Sequence, residues 1–396
     1  MKQRNKTVIG FKIKEVIIII VIVSIISALT TGIILSNNYR TDNGMSYYKL
    51  LEDKNVKDFL NVYANVLNGY YEDVDSKEAI ESAIDGMMSY LGDKYTTYMD
   101  DDQAEALASK LKGEYQGIGV SVNQEAIIVD VFEDSPAQNA GIEPNDQIVE
   151  VNGTEINEKN FDKVSEYIQS SGEEVTLKIK RNSEYKTFKL KLAKLFVPAI
   201  HTTIIDFNNK KIGYMYISSF SSTLTEQVSK ALSKYDGIID SLIVDVRSNS
   251  GGYLKTATDT ASLFLEKDKI IYILDSKEGR KEYKDETDER KTYPIVVLTN
   301  SGTASAAEIL TAALKDSYGA TIVGTKTYGK GKVQETYSLD DGTMVKYTSA
   351  KWLRPNGEGI DEVGIEPDYY VALQKNDKGE LVDTQLDKAI EIIGNM

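Results

Sequence analysis

The sequence predicts a multidomain α+β chain, and three observations predict it. A basic start is followed by an uncharged apolar run from Val16 to Leu35. From Tyr47 apolar residues recur at three- and four-residue spacing, the period of a helix. Beyond Gly113 short alternating runs are set off by Gly, Asn and Asp, and from Val197 apolar strands alternate with helical stretches. A chain of 396 residues accommodates two or three such units.

Residues 1–15 carry Lys2, Arg4, Lys6, Lys12 and Lys14 and read as a basic cytoplasmic segment. About 20 apolar residues suffice to cross a bilayer as a helix. Residues 16–36 are therefore expected to be a single-pass transmembrane anchor in the cell membrane. Flanking cations stay on the cytoplasmic side, which puts the bulk of the chain outside. No A-x-A site follows, so the anchor is expected to be retained. Residues 46–112 read as a helical domain. Phe59, Leu60, Val62, Tyr63, Val66 and Leu67 form one stripe. Ser76 and Glu78 open a second helix that Gly92-Asp93 ends, and a third runs from Asp101 to Lys112. Asp100-Asp101-Asp102 reads as a cap rather than a cation loop. This module and the tail Asp383–Met396 are the segments through which two copies would pair as a homodimer.

Residues 113–195 read as a small β-rich domain. Gly117–Val122 and Ala126–Val131 are strands, and Ser135-Pro136 caps a short helix. Asn145–Gly153 is turn, strand and turn; a helix spans Phe161–Gln169; strands follow at Val175–Arg181 and Tyr185–Leu192. Residues 196–396 form the last unit. Strands at Lys211–Ile217, Ser241–Arg247, Pro294–Thr299 and Thr321–Gly324 alternate with helices at Thr223–Tyr235, Lys255–Leu265 and Ala304–Lys315. That alternation predicts a buried, mostly parallel sheet. The charged run Asp275–Lys291 reads as a solvated excursion. A hairpin turns at Asp341-Gly342 between Gln334–Leu339 and Met344–Thr348.

Composition narrows the chemistry. Asp and Glu number 61 against 46 Lys and Arg, a net charge of −15, which argues against a nucleic-acid partner. There is no cysteine and one histidine, His201. Thiol catalysis, disulfides, thiolate zinc and multi-His metal sites are excluded, and no metal or organic cofactor is expected. His201 lies in no catalytic motif and reads as structural.

Ser305 ends the segment Asn300-Ser301-Gly302-Thr303-Ala304-Ser305, and Ser305-Ala306-Ala307-Glu308 by itself is a capping box. Its position is more telling. It follows an apolar strand and opens an Ala-rich helix, whose N-terminal N–H groups and dipole favour an oxyanion. Lys330 follows 25 residues later, between Gly329 and Gly331. Alone it is a surface lysine in a turn. A lysine base requires burial that pulls its amine toward neutrality. Gln334 can hold an amine by hydrogen bonding without raising its pKa as a carboxylate would. Lys332 is the rival base. In Asp245–Gly252, paired glycines after a buried strand can turn N–H groups toward an oxyanion.

Two resemblances gather these residues. Residues 113–195, with S-P-A-x-x-A-G-I followed by N-D-x-I-x-x-V-N-G, resemble a PDZ domain. The resemblance implies a peptide added as an extra strand, with its terminal carboxylate on loop N–H groups. The loop would be Gln116, Gly117, Ile118 and Gly119, and the pairing strand would run from Ile118 through Val120. The chain after the anchor resembles the carboxy-terminal processing peptidases, the tail-specific proteases. That resemblance implies a crotonase/ClpP-like α/β core and a serine endopeptidase acting on proteins or peptides with free C-termini. It implies Ser305 as nucleophile, Lys330 as general base, Gln334 as its support, and the N–H groups of Gly251 and Ala306 as oxyanion donors. Thr303 and Ser250 stand where the family usually has Ser and Pro, and Ile168-Gln169-Ser170 where I-R-G is frequent. The last departure bears on ligand-dependent gating rather than on catalysis. The alternative is a catalytically silent, membrane-anchored PDZ adaptor, against which the intact Ser, Lys and Gln argue. An acyl-CoA enzyme of crotonase-like fold matches the core order but not the rest of the chain.

Overall fold

The structure, a computed structural model, describes residues 47–396 other than 289, 377 and 380. The basic segment and the expected anchor at 16–36 lie outside the described residues. Among the described residues no helix is long and apolar enough to cross a membrane.

The chain divides into two units between Gly86 and Met87. The first holds α1 (Tyr47–Glu52), α2 (Lys54–Gly69) and most of α3 (Ser76–Tyr90). Asp53 caps α2 by accepting the N–H groups of Asn55 and Val56. Asp75, one residue before the expected Ser76, caps α3 through the N–H groups of Lys77 (2.8 Å) and Glu78 (3.1 Å). No residue of α2 is buried, and Phe59, Leu60, Val62 and Val66 stand exposed on it.

The second unit begins with a strand the sequence did not reveal, β1 (Thr97–Met99), too short to show alternation. Helix α4 (Asp101–Lys112) follows, capped by Asp100 and stopped by Gly113 in the left-handed region. Then β2 (Glu114–Gly117) leads out of this body, and β9 (Ala193–Phe196) leads back in. The two pair antiparallel, Glu114 opposite Phe196 and Gly117 opposite Ala193. Between them lies the small β domain. Its elements are β3 (Val120–Val122), β4 (Ile128–Val131), α5 (Pro136–Asn139), β5 (Gln147–Val151), β6 (Thr154–Glu155), α6 (Val164–Gln169), β7 (Glu174–Arg181) and β8 (Glu184–Lys191). Ile118, Ile128, Ile148, Leu177 and Ile179 fill its core. The single strand expected over Gly117–Val122 is broken at Ile118-Gly119. Gly119 has φ +84°, and a Cβ there would lie 2.2 Å from Ser135 Cβ. Only glycine fits, and the strand expected to pair with a peptide starts at Val120 instead of Ile118.

The rest is an α/β body. Its strands are β10 (Ile200–Phe207), β11 (Lys210–Ile217), β12 (Ser241–Asp245), β13 (Ile270–Ser276), β14 (Gly279–Lys284), β15 (Ile295–Thr299), β16 (Thr321–Gly324), β17 (Lys332–Ser338), β18 (Met344–Leu353) and β19 (Tyr369–Tyr370). Its helices are α7 (Leu224–Tyr235), α8 (Leu254–Ser262), α9 (Ala306–Ala313) and α10 (Thr384–Gly394). One sheet has the order β10-β11-β12-β15-β16-β19 and is parallel from β11 onward. Every residue of β12 and β15 is buried, as expected of strands covered on both faces. Leu242 and Val244 of β12 point to the core under α7, α8 and α9, while Ile243 points to the core under α10.

The charged run at 275–291 departs from its expectation. Much of it is strand, not a solvated excursion: β13 and β14 form a hairpin, and β13 pairs with β18 in a second sheet that also holds β1 and β17. Its polar look comes from β14, an edge strand whose outward residues are exposed. On the inner face Tyr272 and Tyr283 stack at 4.6 Å.

Candidate active site

Three loops leave the carboxyl ends of β12, β15 and β16, where open parallel sheets place their ligands. They are locked together by hydrogen bonds. The Ser248 N–H donates to Asn300 Oδ1 (2.8 Å), Thr303 Oγ1 to the Val246 carbonyl (2.8 Å), and the Ala304 N–H to the Asn249 carbonyl (2.9 Å). The third loop joins through the Tyr328 N–H on the Thr303 carbonyl (3.0 Å). Asn249 is fully buried and anchors the first loop through Nδ2 on the Ile217 carbonyl (2.8 Å).

Ser305 stands where these loops meet, at the start of α9. Its backbone is at φ +57°, ψ −119°, a conformation that side-chain-bearing residues rarely adopt. Surrounding bonds hold it there, and Glu308 is the main one. This carboxylate is completely buried on α9. Its Oε2 accepts the N–H groups of Ser305 (2.8 Å) and Lys330 (2.9 Å); its Oε1 accepts Thr327 Oγ1 (2.6 Å) and the Gly329 N–H (2.7 Å). Burial pushes its pKa up, and these donors pull against that rise. The residue that reads as one half of a capping box thus clamps the serine turn to the lysine loop. The sequence carried the Ser305 half of that signal; the Lys330 half comes from a loop 22 residues away.

Gly251 lies against the same turn. A Cβ on it would sit 2.8 Å from the Ala304 carbonyl oxygen and 2.9 Å from Ser305 Cβ. Its N–H donates to Asn249 Oδ1 (2.8 Å) and is therefore engaged in this conformation. Among the described residues the Ala306 N–H, in the first turn of α9, has no backbone acceptor.

Lys330 is mostly withdrawn from water, and its ammonium lies 4.8 Å from the ring centre of Tyr95. Its pKa is lowered, first by burial and next by the Lys346 cation, against smaller opposite pulls from Glu308 and Asp93. Trp352 Nε1 donates to the Lys330 carbonyl (3.0 Å) and fixes the loop from below. Its neighbour Lys332 differs in kind. It pairs with Asp93 at 3.0 Å, and its pKa is raised by that bond. Of the two candidate bases, only Lys330 has an environment that favours the neutral amine. Gln334 donates from Nε2 to Thr348 Oγ1 (3.5 Å) rather than holding the Lys330 amine. Ser305, Ala306, Gly251, Lys330 and Gln334 all line one cavity of about 740 Å³. His201 is elsewhere, exposed on β10 and stacked on Tyr216.

The loop at Gln116–Gly119 lies in the small β domain, continuous with β2. The groove beside it, between β3 and α6, holds about 40 Å³. Tyr115 is part of its lining. A Cβ on Gly117 would meet the Tyr115 ring at 2.5 Å, and burial pushes the Tyr115 hydroxyl up to about 12 against a backbone hydrogen bond from Gly119. Asp93, Tyr95 and Tyr115 are among the residues around these sites that belong to no catalytic or binding motif.

Family comparisons bear on this geometry. Residues 211–371 match peptidase family S41, residues 127–181 the PDZ domain, and residues 34–103 the N-terminal domain of the activating protease CtpB. The carboxy-terminal processing protease CtpB of Bacillus subtilis is 35% identical over 348 residues, covering 86% of this chain and 72% of that protein. This chain belongs to the carboxy-terminal processing proteases. Bacillus subtilis CtpA is 37% identical over 311 residues, 77% of this chain and 66% of that one. The solved photosystem II D1 C-terminal processing protease superposes with a TM-score of 0.52 at 24% identity, covering 89% and 92% of the two chains, and shares the fold. The protein is accordingly a serine-type peptidase of family S41 that carries a PDZ domain. In this carboxy-terminal processing protease the PDZ domain is inserted between α4 and β10, so that elements of the second unit precede and follow it.

Proposed function

We propose that this carboxy-terminal processing protease is an extracytoplasmic endopeptidase, anchored in the cell membrane by residues 16–36, that cleaves by a Ser305–Lys330 dyad. The observation that carries the reading is the cavity shared by Ser305 and Lys330, with the lysine amine buried and, among the described residues, without a carboxylate partner. The neutral amine takes the proton from Ser305 Oγ as that oxygen bonds to the scissile carbonyl carbon. The Ala306 N–H receives the charge that develops on the carbonyl oxygen. Gly251 can join only once its N–H leaves Asn249. The C–N bond then breaks, and the Lys330 ammonium protonates the departing amine. Water, deprotonated by the same lysine, attacks the ester carbonyl, and the Lys330 ammonium returns that proton to Ser305 Oγ as the C–O bond breaks. The loop at Gln116–Gly119 takes the terminal carboxylate of a substrate tail, and the strand from Val120 pairs with the tail.

Cleavage of labelled casein is the direct test. Ser305→Ala and Lys330→Ala are each expected to lose about 1,000-fold or more in kcat. Parental rates in either folded variant would sink the dyad, and an inactive parent would favour the silent adaptor. A C-terminal tag digested by protease added to intact cells is expected from the anchor topology, and protection of the tag would refute it. The exposed apolar face of α2 suits a second copy of this chain. Sedimentation of residues 47–396 as a monomer at all concentrations would refute that pairing.

A further inference from the structure

Asp93 belongs to none of the motifs above, yet its carboxylate closes a directed chain of hydrogen bonds that ends on Gln334. Oδ2 accepts the hydroxyls of Thr348 (2.5 Å) and Thr96 (2.8 Å), and Oδ1 takes the Lys332 ammonium (3.0 Å). Burial would push this carboxyl up, but the bonds from Thr348, Lys332 and Thr96 outweigh it and hold its pKa at about 2. A carboxylate can only accept, so both threonines direct their single proton at it. Thr96 Oγ1 keeps a lone pair for the Thr348 N–H (3.1 Å). Thr348 Oγ1 likewise has only lone pairs left for Gln334, whose Nε2 donates to it at 3.5 Å. The direction of the chain therefore settles the amide. Its NH₂ end is committed to Thr348, and its carbonyl oxygen is the end left over. An amine that has just taken a proton needs such an oxygen.

We infer that Asp93 is a positioning residue, which sets the Gln334 amide through Thr348 and holds Lys332 as a paired cation, leaving Lys330 as the base. The inference rests on the Ser305–Lys330 reading. Tyr95, Glu308, Lys346 and the Asp93–Lys332 pair are the titratable and charged groups around the Lys330 amine. Asp93 acts on it as a distant negative charge.

The test compares kcat, KM and the pH profile of kcat/KM for casein cleavage by the full chain. Thr348→Val removes the hydroxyl without changing charge. It is expected to lower kcat about tenfold with KM within about twofold, and to leave the acid limb where it was. Thr348→Ser is expected to restore most of the rate. Asp93→Asn is expected to lower kcat similarly and move the acid limb to lower pH, because a negative charge is lost and Lys332 is left unpaired. Parental kcat in Thr348→Val, or a folded Thr348→Ser no better than the valine variant, overturns the inference. So does an acid limb in a folded Asp93→Asn that stays in place or moves to higher pH. A Lys330→Ala enzyme with parental kcat overturns the dyad reading itself, and this inference with it.

Discussion

Burying the Lys330 amine, which among the described residues has no carboxylate partner, disfavours its protonated form and costs stability. The unfolded chain holds its proton up to the ordinary lysine pKa, whereas the folded chain gives it up earlier. Between those two values the unfolded state binds more protons, so stability rises with pH there. On the proposed dyad, activity is expected to rise through the same depressed pKa, since the neutral amine would be the base. Lys330→Met, of similar length and without charge, is expected to abolish cleavage and stabilise the fold by about 1–2 kcal/mol. A thermal melt reads the gain, and a lower melting temperature would argue against a strained amine. That environment was not legible in the sequence, because a lysine between glycines says nothing of what folds over it.

At the scale of elements, legibility followed burial pattern. Strands β12 and β15 announced themselves because continuous apolar runs fit only a sheet covered on both sides. Helix α9 followed from its alanines, and the β17–β18 hairpin from alternation around Asp341-Gly342. Strand β1 was hidden by its length of 3 residues, and β14 by the charges of an exposed edge. Ser305, Lys330 and Gln334 were proposed as a set by resemblance, and all three line one cavity. The clamp at Glu308 was not legible, because its partners at Thr327, Gly329 and Lys330 come from the next loop. Glu308→Gln would point an NH₂ at donors in a buried site and is expected to cost about 2–3 kcal/mol. It should lower kcat as well, and a parental melting temperature would show that the clamp is dispensable. Gly251→Ala is expected to reduce activity at least about 100-fold by pushing the Ser305 turn aside, since Cβ has no room at φ +98°. Casein cleavage at parental rate would refute the close fit.

At the scale of the molecule, the order of segments along the chain is not the order of bodies in space. The sequence reads as helices, then a PDZ domain, then a protease core. In the fold, β1 pairs with β18, and Asp93 reaches β17 and β18, so the stretch from Met87 to Lys112 packs with the core beyond the PDZ insertion. A fragment limited to residues 196–396 is therefore expected to be poorly stable and inactive even though it contains Ser305 and Lys330. Its purification as a folded, active enzyme would contradict this. The reason such an insertion was hard to read is that neither of its ends carries a linker-like composition.

The two strands that carry the chain into and out of the PDZ domain, β2 and β9, are already hydrogen-bonded to each other, with Gly117 opposite Ala193. They are a hairpin in all but its loop. An excision is thereby written into the fold: joining Gly117 to Ala193 through Asn-Gly should close the hairpin with a two-residue turn and remove the whole insert. The shortened protein should melt cooperatively, keep the sheet that holds Ser305, and lose any dependence on the chemistry of a substrate's last residue.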